Sequence, residues 1–374
     1  MRFTIVRERL LTPLQQVIGA VERRQTMPSL NNLLLEAEDG RLSITATDLE
    51  IELRAETEAV ELEQGGQTTI PARKLLDICR SLPADSIIEL ATEGERVVLK
   101  ASATRSRFML ASLPSEDFPV LPELGEHVAL SLRQGDLRRL LEQTAFAMAQ
   151  QDVRYFLNGL LVEAEDDHIR AVATDGHRLA LCEVERNPFD SGDPVVGRQI
   201  LIPRKGVTEL LRVLEEGVEL VRLQLAASQM RLQLADLRFT SKLIDGRFPD
   251  YRGVIPGENP HRLVVGREAM RQALNRMAIL ASDRFRGVRM VIAPGRLSLQ
   301  AHNPEREEAE EEIPGAEYDG DALEVAFNIS YMLDIVNHME ADQVVYRLRD
   351  DQSSCLVSGP GDDKTMHVIM PLKL

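Results

Sequence analysis

At 374 residues and a net charge of −16, the chain is long enough for two or three domains and too acidic to grip a polyanion with its whole surface. It has no Trp and only 4% aromatic residues, which argues against a base-stacking nucleic-acid module. Cys79, Cys182 and Cys355 show no C-x-x-C spacing, so neither a disulfide framework nor a zinc site is expected. No stretch approaches the roughly 18 apolar residues of a membrane span, and MRFTIVRERL lacks a signal-peptide core, so a soluble cytoplasmic chain is expected.

Leu10, Leu14, Val17, Ile18 and Val21 keep helical spacing. Strand-like runs follow, Leu33 to Glu36 and Leu42 to Thr45, separated by the turn pair Asp39-Gly40. A second helix is marked by Leu75, Leu76, Cys79 and Leu82. The same order then recurs: Leu137, Leu140, Leu141, Ala145 and Met148, then strands, then Val207, Leu210, Leu211 and Leu214. It recurs again with Met270, Leu274 and Met277, and with Met332, Leu333, Val336 and Met339.

Internal similarity explains the recurrence. NLLLEAEDGRLSITATDLE (Asn32 to Glu50), NGLLVEAEDDHIRAVATDGHRLAL (Asn158 to Leu181) and GVRMVIAPGRLSLQAHNPE (Gly287 to Glu305) align so that Asp48, Asp175 and Asn303 fall 127 and 128 residues apart. Ile70-Pro71-Ala72-Arg73-Lys74 answers to Ile202-Pro203-Arg204-Lys205 and to Phe327-Asn328-Ile329-Ser330, and Phe108 with Phe118-Pro119 to Phe239 with Phe248-Pro249. Units this long are domains rather than solenoid repeats, which predicts three, at 1–124, 125–257 and 258–374. Strands outnumber helices in every half-repeat, so the expected class is α+β: three similar domains, each with two helices packed on antiparallel sheets.

Charge is unevenly spread. The six predicted helices together carry +4 and the remainder −20, so a locally basic surface can face phosphate while the acidic surface points elsewhere. Catalytic patterns are lacking. Gly192 to Gln199 (GDPVVGRQ) misses the phosphate-cradling loop, with Arg198 and Gln199 in place of its Lys and hydroxyl, and reads as a turn. Asp175 and His177 could form an acid and orienting pair. The repeat instead favours a turn-forming Asx residue, because the His position becomes Glu50 and Glu305. Glu305 to Glu312 reads as a solvated acidic loop. No metal site, cofactor or enzymatic activity is expected.

QDVRYFLNGLL, TDGHRLA, IPRKGVTELLR and FTSKLIDGRFPDYRGVIP stand in order, followed by FRGVR, NPEREEAEE, FNISYMLD and the terminal VIMPLKL. With FTIVRERLLTPLQQV, TDLEIE and PARKLLDICRSLP they closely resemble the bacterial sliding clamp, the beta subunit of DNA polymerase III, from Met1 to Leu374. The resemblance implies a homodimeric ring that encloses duplex DNA, tethers replicative and repair polymerases and is opened by an ATP-using loader. It places Phe108 and Leu110 of one subunit against Ile279 and Leu280 of the next, and a DNA-touching loop at Gln151, Tyr155 and Phe156. On the predicted helix starts and ends, Arg24, Arg73, Lys74, Arg80, Arg204 and Lys205 are expected to face phosphates.

By the same resemblance, polymerases and repair proteins dock short peptides in a cleft closed by the C-terminal tail. Its matching positions are Leu157, Thr174, Gly176, His177, Arg178 and Leu179, then Pro249, Val254, Phe285, Asn328, Tyr331 and Ser354, and finally Val368, Ile369, Met370, Pro371 and Leu372. Aliphatic walls with a deformable Met370 suit varied Leu or Phe anchors, with His177 and Arg178 fixing orientation. Gly253 stands where many members of the family carry Arg. A peptide-binding scaffold that never encloses DNA is the alternative reading.

Overall fold

Alternation shapes the strands as expected: in Arg2–Val6, Phe3 and Ile5 are fully buried while Arg2 is exposed. The computed structural model describes residues 1–21, 27–58, 61–186, 197–281 and 286–373. These form two compact units: Met1–Gly135 with Thr208–Leu243, and the remaining described residues.

In the first unit, helix α1 (Arg7–Val17) buries the stripe Leu10, Leu14 and Val17, and α2 (Ala72–Ser81) buries Leu75, Leu76 and Cys79. The two helices pack on each other. An eight-stranded antiparallel sheet runs His127–Arg133, Leu220–Ala226, Gln229–Leu234, Leu237–Lys242, Ile51–Glu58, Arg41–Thr47, Asn32–Glu38, Gly66–Pro71. Asp39 and Gly40 both take positive φ (49° and 76°), as the predicted tight hairpin requires. A five-stranded sheet ends at Ser106–Ala111.

The second unit holds α3 (Gln134–Glu142) from Asp136 onward, α5 (Arg267–Met277) and α6 (Ile329–His338), with α5 packed on α6; α4 (Arg204–Val213) starts in this unit and ends in the first. Its nine-stranded antiparallel sheet runs Arg198–Pro203, Gly159–Ala164, His168–Thr174, Arg178–Glu185, Thr365–Ile369, Cys355–Ser358, Gln343–Leu348, His261–Gly266, Glu317–Tyr318. A four-stranded sheet ends at Glu308–Glu312. The α+β class with antiparallel pairing holds throughout the described residues.

The compact units cut through the middle repeat because hydrogen-bonded sheets do not respect repeat boundaries. Leu237–Lys242 of the middle repeat pairs with Ile51–Glu58 of the first, setting Phe239 opposite Leu53. Thr365–Ile369 of the last repeat pairs with Arg178–Glu185 of the middle one, setting His367 opposite Ala180. One type of junction is thus used twice.

Three local expectations change. The third helix stops at Glu142, and Ala145 with Met148 lies in and after a short 3₁₀ turn. Thr144 leaves helical geometry (φ −129°), its hydroxyl donates to Leu140 O (2.6 Å), and the Gln143 amide donates to His338 O (2.8 Å). Glu308–Glu312 is an edge strand rather than a loop: it pairs with Arg296–His302, Ala309 turns inward, and Glu311 is held by Arg276. Asn303 closes a wider turn than Asp48 and Asp175, accepting from Glu307 N (2.9 Å), because a four-residue reach replaces a two-residue one. Gly192 to Val196 lie outside the described residues, and Arg198 opens a strand.

Candidate functional site

A four-residue turn organises the site. Thr174 Oγ1 donates to Arg178 O (2.6 Å) and accepts from Gly176 N (3.1 Å), while Asp175 Oδ1 accepts from the N–H groups of His177 (2.9 Å) and Arg178 (3.0 Å). Thr47 and Asp48 make the same four bonds in the first repeat. Asp175 Oδ2 accepts from Arg178 Nε (3.2 Å), so both carboxylate oxygens serve the turn and neither is presented as a base. Gly176 sits at φ +89°, a conformation that favours glycine, and a Cβ there would lie 3.1 Å from the Arg154 guanidinium, which would have to shift slightly.

The turn forms one wall of an apolar cleft of about 270 Å³. Buried Leu157, Leu179 and Val368 make its floor, and Val254 and Met370, 40% and 39% exposed, stand at its mouth. Met370 N donates to His177 O (3.0 Å) and Leu372 N to Ala326 O (2.8 Å), which fixes the tail beside the cleft. Behind the far wall, Glu163 is buried in its strand and accepts from Tyr251 Oη, Gln199 (2.6 Å), Arg252 (3.3 Å) and Arg170 (3.4 Å). Burial, then the bond to Glu163, pushes the Tyr251 phenol up to about 12, so it stays a donor. This satisfied network braces Pro249, Tyr251 and Val254.

Of the expected cleft residues, Leu157, Thr174, Gly176, His177, Arg178, Leu179, Pro249, Val254, Val368 and Met370 line one cavity. Ile369 points into the neighbouring core, Asn328 caps α6 by accepting from Ser330 N (3.0 Å), and Ser354 O accepts from Asn259 (2.8 Å). Tyr331 lies under the Arg178 guanidinium at 4.3 Å, while Pro371 and Leu372 lie beyond the cavity lining. Phe285 falls outside the described residues, as does Arg24. Arg178 itself is engaged: it donates to Asp334 (2.5 Å), Phe146 O (2.6 Å) and Asp175, so three of its five N–H donors hold the wall.

Residue-by-residue reading missed Arg154, Asp250 and Tyr251, and Phe156, expected at DNA, also lines the cleft. Phe248 and Tyr251, three apart before a Pro-rich stretch, were the available signal. In the 151–158 loop, Asp152 accepts from Arg154 N, Nε and Nη2 (2.8, 3.0 and 2.8 Å), and the rigid turn leaves Val153 96% and Tyr155 57% exposed. Gln151, also exposed, has φ +56°.

The expected basic residues divide into two kinds. Arg73 donates to Val21 O (2.9 Å) and Arg204 to Met148 O (3.1 Å), each tying the start of a second helix to the segment after the first. Lys74 and Arg80 are exposed on α2, and Lys205 is half-buried on α4. Ile279, 79% exposed after α5, belongs to no core; Leu280, Phe108 and Leu110 are half-buried.

Profiles of the DNA polymerase III beta subunit match in series: the N-terminal domain over residues 1–122, the central domain over 131–250 and the C-terminal domain over 252–373. The chain belongs to the DNA polymerase III beta subunit family. It is 48% identical over 375 residues to the beta sliding clamp of Pseudomonas putida, with 100% of both chains covered. With the beta sliding clamp of Escherichia coli it shares 45% over 374 residues, again covering 100% of each. Among solved structures, the DNA polymerase sliding clamp of Pseudomonas aeruginosa with a ligand superposes with a TM-score of 0.93 at 45% identity over 100% of both chains. The same organism's clamp has also been solved bound to griselimycin, with TM-score 0.93. The family's three-domain clamp fold therefore accounts for the repeats and junctions of this beta subunit chain.

Proposed function

We propose that two copies close head to tail around duplex DNA and that the cleft tethers polymerases and repair proteins by short peptides, the chain itself catalysing nothing. The domains of this reading are the repeats 1–124, 125–257 and 258–374. The supporting observation is the doubled junction. Ile51–Glu58 and Arg178–Glu185 each pair with a strand of the following repeat, and their counterpart in the last repeat, Glu308–Glu312, is left at a sheet edge. The counterpart of Leu237–Lys242 in the first repeat, Ser106–Ala111, is also left at an edge. Pairing these two edges between chains repeats the junction, and the contact is heterologous yet closes. Arg105 and Arg107 at one edge meet Glu308, Glu310 and Glu312 at the other, which favours this pairing over self-pairing.

Enclosure answers the charge problem. A ring held on by topology needs only weak phosphate contacts, whereas a gripping protein loses affinity steeply with salt. Lys74, Arg80, Lys205, Arg73 and Arg204, with the Gln151 to Phe156 loop, are assigned to DNA without sequence preference. A loader using ATP opens the ring, in the cytoplasm where the DNA lies. Retention on circular duplex and loss on linearising it tests the function; a chain that leaves both at the same rate is a peptide-binding scaffold only.

Two further results are expected. Lys74→Ala and Arg80→Ala weaken duplex binding and flatten its salt dependence without changing the melting temperature. Arg73→Ala and Arg204→Ala also lower stability, by about 1.5 kcal/mol each, because a charge-assisted bond to a carbonyl is lost; calorimetry beside a salt titration checks both. Met370→Ala, which removes the thioether from the cleft mouth, weakens binding of a Leu- and Phe-anchored peptide about tenfold by isothermal titration.

A further inference from the structure

We propose that a second groove on the same sheet face receives an acidic flank of the peptide whose apolar anchors sit in the cleft; this rests on the cleft reading above. The groove measures about 600 Å³ and is walled by the strap Pro256 to Pro260 and the turn Gly359 to Asp363. Sheet register joins it to the cleft. Thr174 stands opposite Leu179, Leu179 opposite Val368, Val368 opposite Leu356, Leu356 opposite Arg347 and Arg347 opposite Arg262. Directly opposed residues of antiparallel strands share a face, so these six form one row. The first three line the cleft and the last three the groove. At about 4.8 Å per strand, Arg347 lies about 10 Å and Arg262 about 14 Å from Val368, a reach of three to five extended residues at about 3.3 Å each.

The chemistry of the groove selects an anion at one end. Arg262 and Arg347 are like charges directly opposed across a strand pair, an unfavourable placement, and neither guanidinium meets a carboxylate among the described residues. Arg349 lines the same end. Of the acidic residues of the groove, Asp362 and Asp363 lie in the turn past Ser358, away from Arg347, and Glu258 lies on the strap next to Asn259. Asp362 is already occupied, accepting from the N–H groups of Lys364 (2.9 Å) and Thr365 (3.0 Å). The groove is also preformed. Asn259 Nδ2 donates to Arg347 O (2.9 Å) and to Ser354 O (2.8 Å), pinning the strap to the sheet, and Ile255 packs on the cleft's own core between the two sites. A carboxylate or two bridging Arg347 and Arg262 relieves their repulsion while the apolar anchors stay in place.

The test uses the full chain and three kinds of synthetic peptide: a short Leu- and Phe-anchored core, the core extended by four Asp or Glu residues at either end, and the core extended by four Ser residues. The acidic extension at one end is expected to tighten binding about fivefold at about 50 mM salt, and to lose that gain at about 500 mM. Arg262→Glu with Arg347→Glu is expected to erase the gain and leave core affinity within about twofold, because neither residue touches the cleft. Core binding with no acidic gain at either end, or a gain that survives charge reversal, overturns the groove and leaves the cleft standing. Failure of the core peptide to bind overturns the cleft reading first and this one with it.

Discussion

The Ile279→Asp variant is expected to sediment as a folded monomer at concentrations where the unaltered chain is a dimer. Ile279 is 79% exposed, so its replacement removes nothing from the core beneath it, where Met277, Leu274 and Met270 are buried. In the proposed ring it packs against Phe108 and Leu110 of the neighbouring copy. Covering an isoleucine contributes about 1.5–3 kcal/mol, and placing an unpaired carboxylate in the same contact adds several more, so each interface weakens at least about 1,000-fold. Because a ring needs both contacts, retention on circular duplex falls with dimerisation, while the melting curve of the monomer is unchanged. A variant that stays dimeric places the interface elsewhere. Phe108→Asp is a poorer probe: Phe108 is half-buried opposite Leu99 in its own sheet, so loss of dimer and loss of fold would mix.

Acid is expected to destabilise the second unit through one residue. His367 is 1% exposed, neither ring nitrogen has a hydrogen-bond partner among the described residues, and burial, aided by His338, lowers its pKa to about 3. It holds the position that Phe239 occupies at the equivalent junction, so an imidazole sits beside Phe146, with Arg139, Gln143, Glu340 and Asp362 lining the same small cavity. The folded value lies below the unfolded one, about 6.5, so the stability is complete above pH 6.5 and falls as pH drops towards 3. Near pH 5 the loss is about 2 kcal/mol, since the unfolded chain binds a proton that the folded chain refuses. Chemical denaturation from pH 7.5 to 4.5 reads the slope. His367→Phe, matching the sister junction, is expected to remove this component and to raise stability at neutral pH, because an unsatisfied buried polar group is replaced by an apolar ring. An unchanged slope in that variant assigns the acid sensitivity to carboxylates elsewhere.

Local patterns in the chain carried the repeat, the α+β class and the turn. Thr-Asp at 47–48 and 174–175 writes its own hydrogen bonds within five residues, so its structure was legible wherever the pair occurred. Helix faces were equally legible, since Leu10, Leu14 and Val17 are buried where the 3.6-residue period places them. The cleft was legible only by resemblance. No period marks Leu157, Leu179, Val254 and Met370 as neighbours, because strand pairing between distant segments brings them together.

Other facts were decided by tertiary structure alone. Charge on the predicted helices put Arg73 and Arg204 at phosphates and resemblance put Arg178 in the cleft; only the fold shows that each also ties distant segments together, through Val21 O, Met148 O and Asp334. The six-Glu run from Glu305 to Glu312 looked too polar for a sheet, yet pairing with Arg296–His302 satisfies its backbone while the carboxylates stay wet or paired. By itself the sequence determined which faces must be buried and where the chain must turn, because both are set within a few residues. Which distant strands share a row, and so which side chains converge on a cleft or a groove, depended on long-range hydrogen bonding that no local pattern encodes.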